Sequence, residues 1–161
     1  LKKYPLLYYT SDYYIGLGEN AILYLKDIVP KYQGSIELGV CHRRIGVNST
    51  LFDLYNPLNL IIDFKVRDLG EYIKDAFFND CDIKNISNKI FDSYYFDKLN
   101  LSLLVSRLLF PSYFFDRFEK IINDNINENN VMKIIKKSSD FEDFMSEFIK
   151  VCNLQNISWI N

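Results

Sequence analysis

His42, Arg43 and Arg44 stand together near the middle of the chain, and two aspartates, Asp63 and Asp68, follow them. Asp63 lies at the end of the apolar run 60–64. A buried strand is rigid and its end faces a cleft, so Asp63 is a candidate carboxylate for a divalent metal. The ordinary preference of aspartate for turns and caps gives it a plainer role. His42 is the only histidine, with no serine or cysteine partner in a recognisable signature. Cys41 directly precedes it, and successive side chains on an extended strand point to opposite faces, so a Cys–His pair is not expected. A lone histidine reads as a hydrogen-bonded structural residue. Cys41, Cys81 and Cys152 show no CxxC spacing, which leaves no zinc cluster and implies reduced thiols in a cytoplasmic chain.

Gly16-Leu17-Gly18-Glu19-Asn20-Ala21 matches the dinucleotide fingerprint in letters. That fingerprint works only where a strand turns into a helix, so that phosphates meet free backbone N–H groups. Here both glycines fall inside a helical period, and close helix packing is the expectation. Net charge is −2 with both signs dispersed, which argues against a nucleic-acid partner. The basic cluster 133–137 is interrupted by Ile134 and Ile135 and reads as the solvated face of a helix. No apolar run approaches the ~20 residues that span a bilayer, so no membrane partner is expected.

The elements that must position these residues follow from periodicity. The hydrophobic fraction of 48% and aromatic fraction of 16% predict a large aromatic core. A helix is expected over about 11–29, capped by Ser11 or Asp12 and stopped by Pro30. After a turn at Gly34, three short apolar runs, 36–40, 50–54 and 60–64, read as strands or extended segments. Helical spacing then returns. Asp68 is expected to cap one helix, Asp82 to open another, and Asn100 to cap a run over 101–110 that is apolar almost all round and so central. Pro111 separates it from a further helix carrying Phe114, Phe118, Ile121 and Ile122 inward. A short helix from Val131 and a last one opened by Ser139 and Glu142 as a capping box complete the chain. The outcome is a mainly α fold, one helical domain over 1–161, with a small β-hairpin.

Tyr13 to Ile22, the Cys41-His42-Arg43-Arg44 segment, Asp63 to Lys74 and Arg107-Leu108-Leu109-Phe110-Pro111 together resemble bacterial spore-coat proteins of the CotS-like type, relatives of the aminoglycoside and choline phosphotransferases. The resemblance covers most of the chain and implies the C-terminal lobe of a protein-kinase-like fold, with the chain a C-terminal part of a longer protein. It implies that His42 and Arg43 open the catalytic-loop equivalent, where kinases read H-R-D-x-x-x-x-N. Arg44 then stands where the catalytic aspartate belongs. Ser49 falls at the metal-binding asparagine, with Asn48 one place early. Asp63 corresponds to the second metal-binding aspartate, and Asp68 to an aspartate that braces the loop from the following helix.

Arginine cannot orient a hydroxyl nucleophile as a carboxylate does, and it repels Mg²⁺. The glycine-rich loop and lysine that cradle ATP phosphates have no counterpart in the sequence. The resemblance therefore implies a degenerate, pseudokinase-like phosphotransferase domain acting as a structural or binding component of the spore coat, with no cofactor of its own. Its partners would be other coat proteins or further copies of itself, and its place the cytoplasm or the coat. Tyr8, Tyr9, Tyr113 and Phe115 are aromatic candidates for an exposed surface. One alternative is the lobe of an active small-molecule kinase using ATP and Mg²⁺, with Asp53 or Asp63 as a displaced base. Another is an unrelated helical interaction domain, in which His42 and Asp63 would lie far apart.

Overall fold

The first element is a long helix, α1 (Pro5–Ile28), in a computed structural model that describes residues 3–32, 36–154, 157 and 159–160. The expected turn at Gly34 lies outside the described residues. Pro5 occupies the first turn, where its missing N–H costs nothing. Neither Ser11 nor Asp12 caps α1, which begins before both. The Glu128 carboxylate caps it from the other end of the chain, accepting from Leu6 N (3.0 Å) and Leu7 N (3.3 Å). A negative group at a helix N-terminus is favoured by the helix dipole.

β1 (Leu38–His42) and β2 (Leu60–Phe64) pair antiparallel, with Val40 opposite Ile62 and Cys41 opposite Ile61. Between them the expected strand over 50–54 is instead a short helix, α2 (Leu51–Tyr55). Thr50 and Asp53 form a reciprocal capping box there, and that local polar chemistry overrides the apolar letters. Five helices follow: α3 (Arg67–Phe78), α4 (Ile83–Ser93), α5 (Lys98–Leu109), α6 (Ser112–Asp124) and α7 (Met132–Val151). Among the described residues the fold is mainly helical with one small two-stranded antiparallel sheet.

Asp82 caps α4 as expected, accepting from Asn85 N. For α5 the cap is Asp97 and not Asn100, whose own N–H donates to the Asp97 carboxylate (2.7 Å). Asp68 does not cap α3 either; Val66 holds the cap position and the Asp68 carboxylate is turned toward the hairpin. The two expected C-terminal helices are one, α7, running through Ser139. Ser139 lies inside α7 and forms no capping box, and Glu142 accepts from the Tyr13 hydroxyl on α1.

α5 is buried on nearly every side, with Leu103, Leu104, Val105 and Leu108 in the core. α1 lies against it, and Ser106 Oγ donates to the Ala21 carbonyl at 3.3 Å. A Cβ at Gly18 would stand 3.6 Å from the Phe110 ring, an ordinary van der Waals distance, so the approach does not require glycine there. Gly16 faces open space, so close packing requires neither of the two fingerprint glycines. The core is aromatic. Tyr14 stacks on Phe114 at a centroid distance of 3.8 Å, and Phe77, Phe78, Tyr113 and Phe141 interlock nearby. Ile122, expected inward, is exposed.

Candidate functional site

His42 ends β1, and its backbone N–H and two ring nitrogens reach Asp68 and Leu54. Its backbone N–H donates to Asp68 Oδ1 (2.8 Å), and ring Nδ1 lies 2.6 Å from Asp68 Oδ2. Ring Nε2 lies 3.1 Å from the carbonyl of Leu54, at the end of α2. The hydrogen bond to Asp68 raises the histidine pKa above its ordinary value; partial burial opposes it and the Leu54 carbonyl reinforces it. Both ring nitrogens face acceptors, so the imidazolium satisfies both at once.

Asp63, on β2, is joined to the same end of the hairpin by Arg67. The guanidinium donates to Asp63 Oδ2 (2.6 Å), to the His42 carbonyl (3.1 Å) and to the Arg43 carbonyl (3.3 Å). The other Asp63 oxygen accepts the Phe64 N–H at 2.8 Å. His42 and Asp63 thus share one hairpin and one arginine, and are not far apart. Both carboxylate oxygens of Asp63 are engaged, and one is neutralised by a cation. Ser49 Oγ accepts from Gly46 N (2.9 Å) within its own loop. Among the described residues no three His, Cys, Asp or Glu side chains converge as a metal site. This donor set does not fit Mg²⁺, which wants free carboxylate oxygens in octahedral array.

Arg43 and Arg44 begin the loop after β1. Arg44 pairs with Asp116 on α6 and donates from Nη1 to the Arg43 carbonyl (2.6 Å). Asn59, which sequence reasoning passed over, fastens the loop: its side chain bonds Arg44 N (3.2 Å), Arg44 O (3.0 Å) and Asp53 O (3.0 Å). Gly46 is required where the loop meets α3, because a Cβ there would collide with the Asp75 carboxylate, which accepts from Val47 N. The Asp53 carboxylate is spent on Thr50 N and Oγ, both at 2.8 Å.

Behind the loop opens a cleft of about 950 Å³, floored by α3 and walled by α6. Its floor holds a buried polar knot. Lys74 Nζ donates to Glu71 Oε1 (2.8 Å), Ser112 Oγ (2.6 Å) and the carbonyls of Arg107 (2.9 Å) and Phe110 (3.1 Å). Arg107 Nε stands 2.7 Å from the same Glu71 oxygen, a charge contact without hydrogen-bond alignment. Burial pushes the Lys74 ammonium down to about 8, and Lys74 and Arg107 together hold Glu71 below its usual range against the opposing effect of burial. Lys74 therefore closes the C-terminus of α5, whose last carbonyls lack helical partners. On α3, Glu71 and Lys74 lie on the side that carries Phe78, across the helix from Ile73 and Ala76, so the apolar period of the sequence did not mark them.

Residues 5–148 match the family described as spore coat putative kinase YutH, and the chain belongs to that family. This membership associates the chain with the spore coat and with kinase-like proteins. No curated protein and no solved structure matches it.

Proposed function

We propose that this chain is a kinase-like lobe of the spore coat that binds and does not transfer phosphate. The observation that carries the reading is the fate of the charges around the loop. The resemblance puts Arg44 at the place of a catalytic aspartate, and its guanidinium is tied to Asp116. Asp63, the candidate metal carboxylate, is tied to Arg67. A base in this position would need a free carboxylate, and a metal would need a second one beside it. Asp68 and His42 keep the hairpin, α2 and α3 in register, so the scaffold is retained while its reactive groups are occupied. On this reading the partners are other coat proteins or further copies of the chain.

The test is a thermal-shift titration with ATP, with and without Mg²⁺. A saturating ligand of the folded state stabilises by several kcal/mol at about a thousandfold excess over its dissociation constant. No Mg²⁺-dependent rise is expected, and Arg44→Asp alone is not expected to produce ATP turnover. A clear rise that Asp63→Ala abolishes would show MgATP binding through Asp63, and turnover accompanying it would establish an active kinase instead.

A further inference from the structure

The Arg107 guanidinium is drawn into the fold without being satisfied there. Its stem passes α3 at Gly70, where a Cβ would stand 2.9 Å from Arg107 Cγ, so only glycine admits it. Its Nε is buried and, although 2.7 Å from a Glu71 oxygen, has no hydrogen-bond partner. No other side-chain nitrogen of Arg107 is hydrogen-bonded to a described residue, whereas the Arg67 guanidinium donates to three acceptors. A buried donor without an acceptor destabilises the fold, and native structures retain few of them. Burial lowers the Arg107 pKa, Glu71 opposes that, and the neighbouring Arg67 charge adds to it. Arginine stays charged at any working pH all the same. Glu71 is shared with Lys74, and Asp63 is taken by Arg67. Three cations thus stand against two carboxylates in this cluster.

Arg107 also lines a pocket of about 240 Å³ between α1, β2 and α5, which shares no lining residue with the cleft behind Arg44. Ile22, Leu25, Phe64, Val66, Leu103 and Phe110 give it apolar walls. Its charged lining is Arg67, already paired with Asp63, and Arg107. The Ser106 hydroxyl there is spent on the Ala21 carbonyl. We propose that this pocket binds a small apolar monocarboxylate, with its hydrocarbon among the apolar walls and its carboxylate on Arg107. A carboxylate accepts two guanidinium N–H groups at once and brings the one negative charge that the cluster lacks. A dianion would carry one charge too many into apolar surroundings, where an unpaired charge is costly. An apolar cavity of about 150 Å³ holds benzene, so a six-carbon acid suits this larger space. The inference goes beyond the function proposed above and does not rest on it.

Methyl NMR titration of the intact protein with hexanoate is the test, with acetate, hexanol and hexylamine as comparison probes. Hexanoate should saturate in the millimolar range and shift the methyl resonances of Ile22, Leu25 and Leu103. Acetate lacks the chain and hexanol the charge, so each should bind at least about tenfold more weakly. Hexylamine should not saturate. Arg107→Gln should weaken hexanoate by a similar factor. Arg107 also faces Glu71, so a second pair of variants reads the charge without disturbing that contact. Ile22 is 46% exposed, and Ile22→Glu and Ile22→Lys place opposite charges at the pocket wall at similar cost in apolar contact. Hexanoate should bind the glutamate variant at least about tenfold more weakly than the lysine variant. The proposal is overturned by no saturable hexanoate binding, by equal binding of hexanol or hexylamine, by shifts confined to other parts of the protein, or by equal affinities in the two Ile22 variants. Any of these failures leaves the reading of the cleft as non-catalytic standing, and a MgATP-dependent rise in melting temperature overturns that reading alone.

Discussion

His42 shows how much one side chain can hold. It is the only histidine, its ring lies between Asp68 and the Leu54 carbonyl, and its pKa is raised. A group whose folded pKa exceeds its unfolded value stabilises fully below the unfolded value, and that contribution fades as pH rises through the folded one. The His42 contribution should therefore be intact below about 6.5 and lost as the pH rises through the raised folded value. A single imidazole resonance, followed by NMR across pH, reads this directly. Its midpoint should lie above that of a free histidine, and Asp68→Asn should lower it while costing about 2 kcal/mol in denaturant unfolding. A midpoint at the free value would refute the pairing. The sequence already made His42 a hydrogen-bonded structural residue, but the partners come from elements far along the chain, and only folding brings them together.

At the scale of elements, helix ends divide into local and distant solutions. Thr50 and Asp53 close α2 with each other, so Thr50→Ala should destabilise by about 1 kcal/mol. The C-terminus of α5 is closed from α3 by Lys74, which also neutralises Glu71. Lys74→Met leaves buried charge and carbonyls without a partner and should cost about 3–5 kcal/mol. Chemical denaturation compares the two, and equal effects would contradict the buried role of Lys74. Periodicity located α3, α4 and α6 by their apolar stripes, and α5 stood out as a run apolar almost all round. It could not see that Glu128 caps α1 or that α7 continues through Ser139, since a cap motif signals a start only where the chain is not already helical.

For the whole molecule, the conspicuous surface is the outer face of the hairpin and its connection. Val40 (65% exposed) and Ile62 (68%) are paired on one face, and Phe52, Tyr55 and Leu58 are also exposed. Tyr8 and Tyr9 are exposed as expected, whereas Tyr113 and Phe115 are partly buried against the core. A two-stranded sheet with a bare apolar face gains by being covered. Sedimentation equilibrium should show concentration-dependent self-association, abolished by Val40→Lys with Ile62→Glu. A monomer at every concentration would show that this face is not used between copies.

The sequence by itself determined a mainly helical chain, an apolar central α5, the β2 strand, and the family likeness carried by the His42 and Asp63 segments. Those features depend on local periodicity and on letters that stay close together. Tertiary structure alone decided that Arg67 would occupy Asp63, that Asp116 would hold Arg44, and that Lys74 would lie buried among acceptors. The reason is electrostatic. A charge in a low-dielectric setting takes whichever partner folding places beside it, and that partner has no fixed distance along the chain.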